Sequence, residues 1–278
     1  MKSAPSGKII NLQPWQINMV KVGIIGGTGM YDADFLSAAK EVSVETPYGS
    51  PSQPITAGKI GAVDVIVIPR HGRGHKFNPT NVNYRANIHA LKQLGVTHII
   101  APCAVGSLKE EVKPGDLVFS NQFIDRTTKR AQTFYDGEKV CHISMAEPFC
   151  PHLRRMLIAA AKRLNLAHHE TGTNVIIEGP RFSTLAESNL FRSWGCSTIN
   201  MTMVPECVLA REAEICYAPV AQVTDYDCWK GEAVTADMVI NTLKGNVEKT
   251  KKLLLAVIPF IGEKQDCSCH AALQGALL

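Results

Sequence analysis

Residues 22–29 read VGIIGGTG: a short apolar run, Val22–Ile25, stopped by Gly26-Gly27-Thr28-Gly29. A short apolar run closed by glycines fits a strand buried on both faces, and the glycines let backbone N–H groups approach a ligand closely. The same grammar recurs down the chain. Val63–Ile68 runs into PRHGRGH, His98–Ala101 into PCAVGS, Val175–Ile177 into EGPRFS, Thr198–Asn200 into MT and Val220–Val223 into TDYD, and Leu117–Phe119 reads as one more strand. Between these runs, Tyr84–Leu94, Pro151–Leu166, Thr184–Trp194, Pro205–Glu212 and Ala236–Ile261 space their apolar residues as helices do, several opened by Pro or Ser/Thr. Strands alternating with amphipathic helices predict an α/β fold, a central twisted sheet flanked by helices. Without a repeat, a low-complexity linker or a break in composition, a single domain over residues 19–278 is expected, preceded by a tail at 1–18 that shows neither period. Open α/β sheets bind ligands beyond the carboxyl ends of their strands, so polar and Gly-rich clusters gathered at that one position predict one assembled site.

Composition narrows the class. The 278 residues carry 29 Lys and Arg against 25 Asp and Glu, a formal charge of +4 spread without a basic block, which gives nucleic acid little to hold. Charged residues make up 19%, below the usual quarter, which suggests that sister subunits cover part of the surface. Nine cysteines are far too sparse for a disulfide-built secreted domain. The first twenty residues lack the unbroken apolar core of a signal peptide, and the longest apolar run, Leu253–Ile261, is broken by Pro259. A cytoplasmic protein away from membranes is expected.

Each cluster has a chemistry and a plainer reading. Gly26-Gly27-Thr28-Gly29 offers N–H groups and a hydroxyl to an anion, but it also suits any tight turn; it lacks the third glycine of the dinucleotide fingerprint and the Lys-Ser/Thr ending of a P-loop. Arg70-His71 pairs a planar fork of donors with an imidazole that adds another donor, as phosphate binding asks, or forms a surface ion pair. His71 and His75 stand four apart like zinc ligands on a helix, yet Gly72 and Gly74 oppose a helix there, and no metal is expected. Thr202 either starts the helix that opens at Pro205 or donates to an anion at its N-terminus. Asp225 and Asp227 end the last strand, where carboxylates accept from amino groups and a desolvated acid donates a proton to a leaving nitrogen; the alternative is a solvated turn. Cys267-Ser268-Cys269-His270 is dense in ligand-type residues but has no second pair at zinc-finger spacing, leaving a local disulfide, a redox-sensitive pair or two thiols.

Ten ordered motifs resemble the 5′-methylthioadenosine phosphorylases of the trimeric purine nucleoside phosphorylase family: GIIGGTG, RHGRGH, VNYRANI, GSLKEEVKPGD, QFIDRTT, FYDG, CHISMAEPFC, IEGPRFST, INMTMVPECVLAREAEICYA and TDYDCWK. They span about Val20 to Ile261. The resemblance implies phosphorolysis of methylthioadenosine to adenine and 5-methylthioribose 1-phosphate, with phosphate as co-substrate and no cofactor or metal. It implies a phosphate site of Thr28, Arg70, His71, Cys103, the Ala104 N–H and Thr202. It places Met201 against the ribose, and Phe182, Ser183, Asn200, Asp225 and Asp227 around the base, with Asp225 at N7. Relatives acting on 6-oxopurines carry Asn at that acid, so the paired Asp residues point to adenine; a 6-oxopurine or methylthioinosine phosphorylase is the nearest alternative, then a non-catalytic nucleotide-binding protein. The resemblance also implies that Ala236 and Val239 form an apolar pocket for the methylthio group, closed by His142 of an adjacent subunit in a homotrimer, or in a hexamer made of two trimers. Cys103 stands where animal members have Thr, and Ala236 where they have Val. The tail DCSCHAALQGALL is similar to microbial members with a CxC ending, some of which form disulfides.

Overall fold

A computed structural model describes residues 20–27, 34–52, 55–231, 233–262 and 266–278. The expected tail at 1–18, and Thr28, lie outside them. In chain order the elements are β1 (Lys21–Gly26), β2 (Ser37–Val42), β3 (Ile55–Ile60), β4 (Val63–Pro69), α1 (Tyr84–Gln93), β5 (His98–Ser107), β6 (Leu117–Val118), β7 (Gln122–Asp125), α2 (Pro151–Arg163), β8 (His168–His169), β9 (Thr173–Ile176), α3 (Leu185–Ser193), β10 (Thr198–Asn200), α4 (Met203–Glu212), β11 (Cys216–Asp225) and α5 (Ala236–Val257). Every expected strand and helix is present. Four strands were not legible: β2 is almost wholly exposed, β3 returns to β4 through a hairpin at Gly61, and β7 and β8 are short edge pieces.

All strands join one mixed sheet, ordered β2-β3-β4-β1-β5-β10-β9-β7, with β11 pairing β5 and β6, and β6 pairing β8. The two-residue period of a strand sends alternate side chains to opposite faces. Ile66 and Ile68 of β4 pack with Tyr84, Ile88 and Leu91 of α1 and Leu209 of α4. Val65 and Val67 face the other way, with Leu153 and Leu157 of α2 and Leu243, Val247 and Leu254 of α5. Full burial of each such side chain is worth about 1.5–3 kcal/mol, which is why the sheet centre reads as unbroken apolar runs.

β5 is the strand that makes room for a site. Parallel to it, β1 pairs only with His98–Ile100, while antiparallel β10 joins at Gly106–Ser107. On that side, residues 101–105 have no strand neighbour among the described residues, although β11 runs along the other side throughout. The sheet forks there, and a cavity occupies the fork.

Candidate active site

The cavity has a volume of about 590 Å³, in the range of small-molecule sites. Gly27, Arg70, Ala104, Ser183, Thr202 and Asp225 all reach it, one from each strand-end cluster. Of the residues singled out from sequence, Arg70, His71, Cys103, Ala104, Phe182, Ser183, Asn200, Met201, Thr202, Asp225, Asp227, Ala236 and Val239 line it. His142 does not; it is exposed, in a segment whose backbone N–H donates to Ala276 O at 2.8 Å.

At one end Arg70 is 1% exposed and paired with an equally buried Glu206, Nε to Oε2 at 2.7 Å and Nη2 to Oε1 at 2.8 Å. Nη2 also donates to Ile25 O and Nη1 to Pro102 O. The planar fork read from sequence as a phosphate clamp is therefore turned onto Glu206: among the described residues, partners engage four of the five guanidinium N–H groups, and the fifth, at Nη1, stands beside Gly27. Burial opposes the charge of Arg70, but the Glu206 carboxylate outweighs it and raises the guanidinium above its ordinary value. Next to it, the Nδ1 of His71 donates to Phe77 O at 2.8 Å, because a carbonyl only accepts. Burial, then the Arg70 charge, depresses the imidazole to about 3, so the ring is neutral and Nε2 carries a lone pair. His71 thus offers an acceptor, where the sequence reading had it as a donor.

Backbone geometry supplies the next donor. Ala104 O accepts from Asn200 Nδ2 at 2.9 Å, and in an extended strand the N–H of a residue points to the same side as its carbonyl, here the fork. Burial pushes the Cys103 thiol up to about 12, which keeps it an S–H donor. Asn200 acts as a strut as well as a wall: Oδ1 accepts from the N–H groups of Thr202 and Met203 at 2.7 and 2.8 Å, fixing the turn into α4. The loop after it is pinned by Arg130, which donates to Met201 O and Val204 O and pairs with Glu178 at 3.0 Å.

At the other end a β-bulge between Val223 and Asp225 breaks the register of β11, bringing Asp225 opposite Gly106. A Cβ at Gly106 would meet Asp225 Oδ1 at 2.9 Å, so only glycine admits the carboxylate there. Asp225 accepts from Thr224 Oγ1 at 2.7 Å and from the Asp227 N–H at 2.8 Å. Burial raises its pKa above the ordinary carboxylate value, only partly offset by those two donors. Asp227 is held by Ser183 Oγ at 2.6 Å. Phe182, 41% exposed, stands at the mouth, and Ala236, Val239 and Ile240 present one face of the first turns of α5.

An anion end, an acid end and an apolar wall are thus set around one cavity. Residues 21–259 match the family described as the phosphorylase superfamily. The chain belongs to that superfamily. It is 57% identical over 250 residues to the S-methyl-5′-thioadenosine phosphorylase of Xenopus tropicalis, covering 87% of this chain and 89% of the relative. With the Thermofilum pendens enzyme of the same name it shares 53% over 259 residues, 93% and 99% of the two chains. The methylthioadenosine phosphorylase of Schistosoma mansoni, solved in complex with adenine, superposes with a TM-score of 0.87 at 42% identity, covering 92% of this chain and 96% of that one.

Within this phosphorylase, sequence reading missed Glu206, Arg130 and Glu178, none of which was assigned a role. Glu206 left one trace, an acidic residue inside the apolar run MVPECVLA, where a solvated helix face would not place it. Ile177, Ile199 and Ile240, also missed, give the cavity its apolar lining.

Proposed function

We propose that this chain is a pentosyltransferase that cleaves 5′-methylthioadenosine with phosphate, releasing adenine and 5-methylthioribose 1-phosphate. The observation that carries this reading is the pairing, across one cavity, of a buried anion end at Arg70 and His71 with a desolvated acid, Asp225, 2.8 Å from the N–H of a second acid, Asp227. Phosphate is taken by the remaining Arg70 N–H, the Ala104 N–H, Cys103 and Thr202, with Thr28 completing the set. The lone pair of His71 accepts from a P–OH. A phosphate oxygen then bonds to the anomeric carbon as the C–N9 bond breaks through a cation-like sugar, which the phosphate charge stabilises. Electrons leave with the purine, N7 becomes basic, and the Asp225 carboxyl delivers its proton there. Asp227, oriented by Ser183, accepts from the 6-amino group. Met201 lies against the ribose, Phe182 covers the base, and Ala236 and Val239 take the methylthio end.

The same reading makes the enzyme a cytoplasmic homotrimer, or a hexamer of two trimers, serving purine and methionine salvage without a cofactor. The exposed Phe182 and Ile240 at the mouth, and a His142 outside its own cavity, support a neighbouring subunit closing the site. Adenine release from methylthioadenosine, with and without phosphate and with adenosine and methylthioinosine in parallel, tests the proposal. Phosphate-dependent release with methylthioadenosine preferred is expected. Cleavage of methylthioinosine alone overturns the base assignment, and cleavage of nothing leaves a nucleotide-binding protein.

A further inference from the structure

β11 runs from Cys216 to Asp225, so its two ends lie about 30 Å apart at strand rise. Asp225 serves the nucleoside cavity; at the far end, the fold gathers a second chemistry. Cys150, Cys216, Cys267 and Cys269 bring their sulfur atoms within 4.8 Å of one another. Cys150 caps α2, Cys216 opens β11, and Cys267 and Cys269 come from the C-terminal tail, so three separate stretches of chain converge. The second pair of ligands that the tail lacks in sequence spacing is supplied by tertiary structure. Cys150, Cys216 and Cys269 are almost wholly buried, and Cys216 Sγ stands 3.5 Å from Cys267 Sγ, a non-bonded distance.

We propose that these four sulfurs bind one Zn²⁺ as a tetrahedral thiolate site that fastens the C-terminal tail to the core. Zn–S bonds of about 2.3 Å place the sulfurs of a tetrahedron about 3.8 Å apart, within an ångström of the spacing here. A four-sulfur donor set this compact suits zinc among the common divalent ions. Binding is a simple exchange: four S–H protons pass to water, four Zn–S bonds form and the ion sheds its water ligands, with no change in oxidation state. The complex carries a net charge of −2, and the surroundings suit an anion. Leu153 N–H donates to Cys150 Sγ at 3.4 Å and Arg211 Nη1 to Cys269 Sγ at 3.6 Å. Arg211 Nε and His98 Nε2 are buried with no hydrogen-bond partner among the described residues; His98 lies opposite Cys216 in the β5–β11 register. Polar atoms stranded in an interior call for a partner, and a thiolate centre provides one. From the cluster the tail continues to Leu277, which bridges Cys141, so fixing its start fixes the strip beside His142.

The full-length protein, purified anaerobically with a phosphine reductant after growth in zinc-supplemented medium, is assayed for metal by mass spectrometry of its elements. One zinc per chain is expected, lost in the Cys267→Ser/Cys269→Ser variant. Exchange into Co²⁺ should give the sulfur-to-cobalt charge-transfer band of a thiolate tetrahedron, a readout on the unmutated chain if the variant folds poorly. Chelation should lower Tm by several degrees, because the ion fastens the tail to α2 and β11. Zinc content equal in both proteins, no charge-transfer band, or an intact mass showing disulfides that persist under the reductant would each overturn the assignment. None of these readouts depends on which nucleoside is cleaved.

Discussion

At the Arg70 end of the cavity a buried cation faces a buried anion, Glu206, at 2.7 Å; at the Asp225 end a buried acid accepts from a hydroxyl and a backbone N–H and has another acid, Asp227, beside it. The first charge is locked, because removing either partner strands the other in an apolar interior. The second is left titratable, since no group of opposite sign among the described residues pairs with it and burial favours the neutral form. In the proposed reaction the difference maps onto two tasks: one end keeps a fixed charge for phosphate, the other gives up a proton on demand.

The comparison breaks most readily on stability. Glu206→Gln leaves Arg70 buried without a counter-charge and should lower the unfolding free energy by about 3–5 kcal/mol. Asp225→Asn, of almost the same shape, puts a permanently neutral group where burial already favours the neutral form of the acid, and should leave stability unchanged or slightly higher. Urea denaturation of both variants decides this, and equal losses would erase the distinction. Next in size is catalysis. Asp225→Asn should reduce kcat/KM for methylthioadenosine by about 10²-fold, the low end for lost general acid catalysis because the amide still donates to N7. The residual activity should shift toward 6-oxopurine nucleosides; an unchanged base preference would remove Asp225 from recognition.

Acid and base should then act on the two ends in opposite senses. The folded pKa of Asp225 is raised above its ordinary value, so the stability linked to it is fully present below about 3.9 and is lost as pH rises through the raised folded value. His71 is depressed from 6.5 to about 3, so its contribution is present above 6.5 and is lost as pH falls toward 3. Unfolding free energy followed against pH should flatten on the rising side in Asp225→Asn and on the falling side in His71→Asn. A variant that changes the opposite limb would show that the ends are coupled.

The site was legible where it is made of strand ends, because an apolar run followed by Gly, Arg or Asp is a local signal. It was illegible where a residue's role is set by a distant partner. Glu206 meets Arg70 across 136 positions, and Arg130 reaches Met201 across 71, so nothing near either in sequence announces the contact. The fork of the sheet at β5 was equally hidden, since β1 and β10 pair with different parts of one continuous apolar strand. The acid end was foreseen as two carboxylates, but the bulge that turns Asp225 toward Gly106 is a register effect that only pairing reveals. Four sulfurs drawn from α2, β11 and the tail belong to the same class of hidden feature.

The smallest expected effect concerns the wall that belongs to neither end. Ala236, Val239 and Ile240 stand at i, i+3 and i+4 on α5, whose start is fixed by Thr235 Oγ1 accepting from the Met238 N–H at 3.2 Å. Val239→Ser shortens this wall and adds a hydroxyl that pairs with a 5′-OH better than with a thioether. Apolar pockets discriminate by only about 1–3 kcal/mol per methylene, so the preference for methylthioadenosine over adenosine should fall by about 10-fold. The KM for phosphate, set at the Arg70 end of the cavity, should not move. If both nucleosides lose rate equally, α5 governs closure of the cavity, and the division of labour runs between mouth and floor instead of along its length.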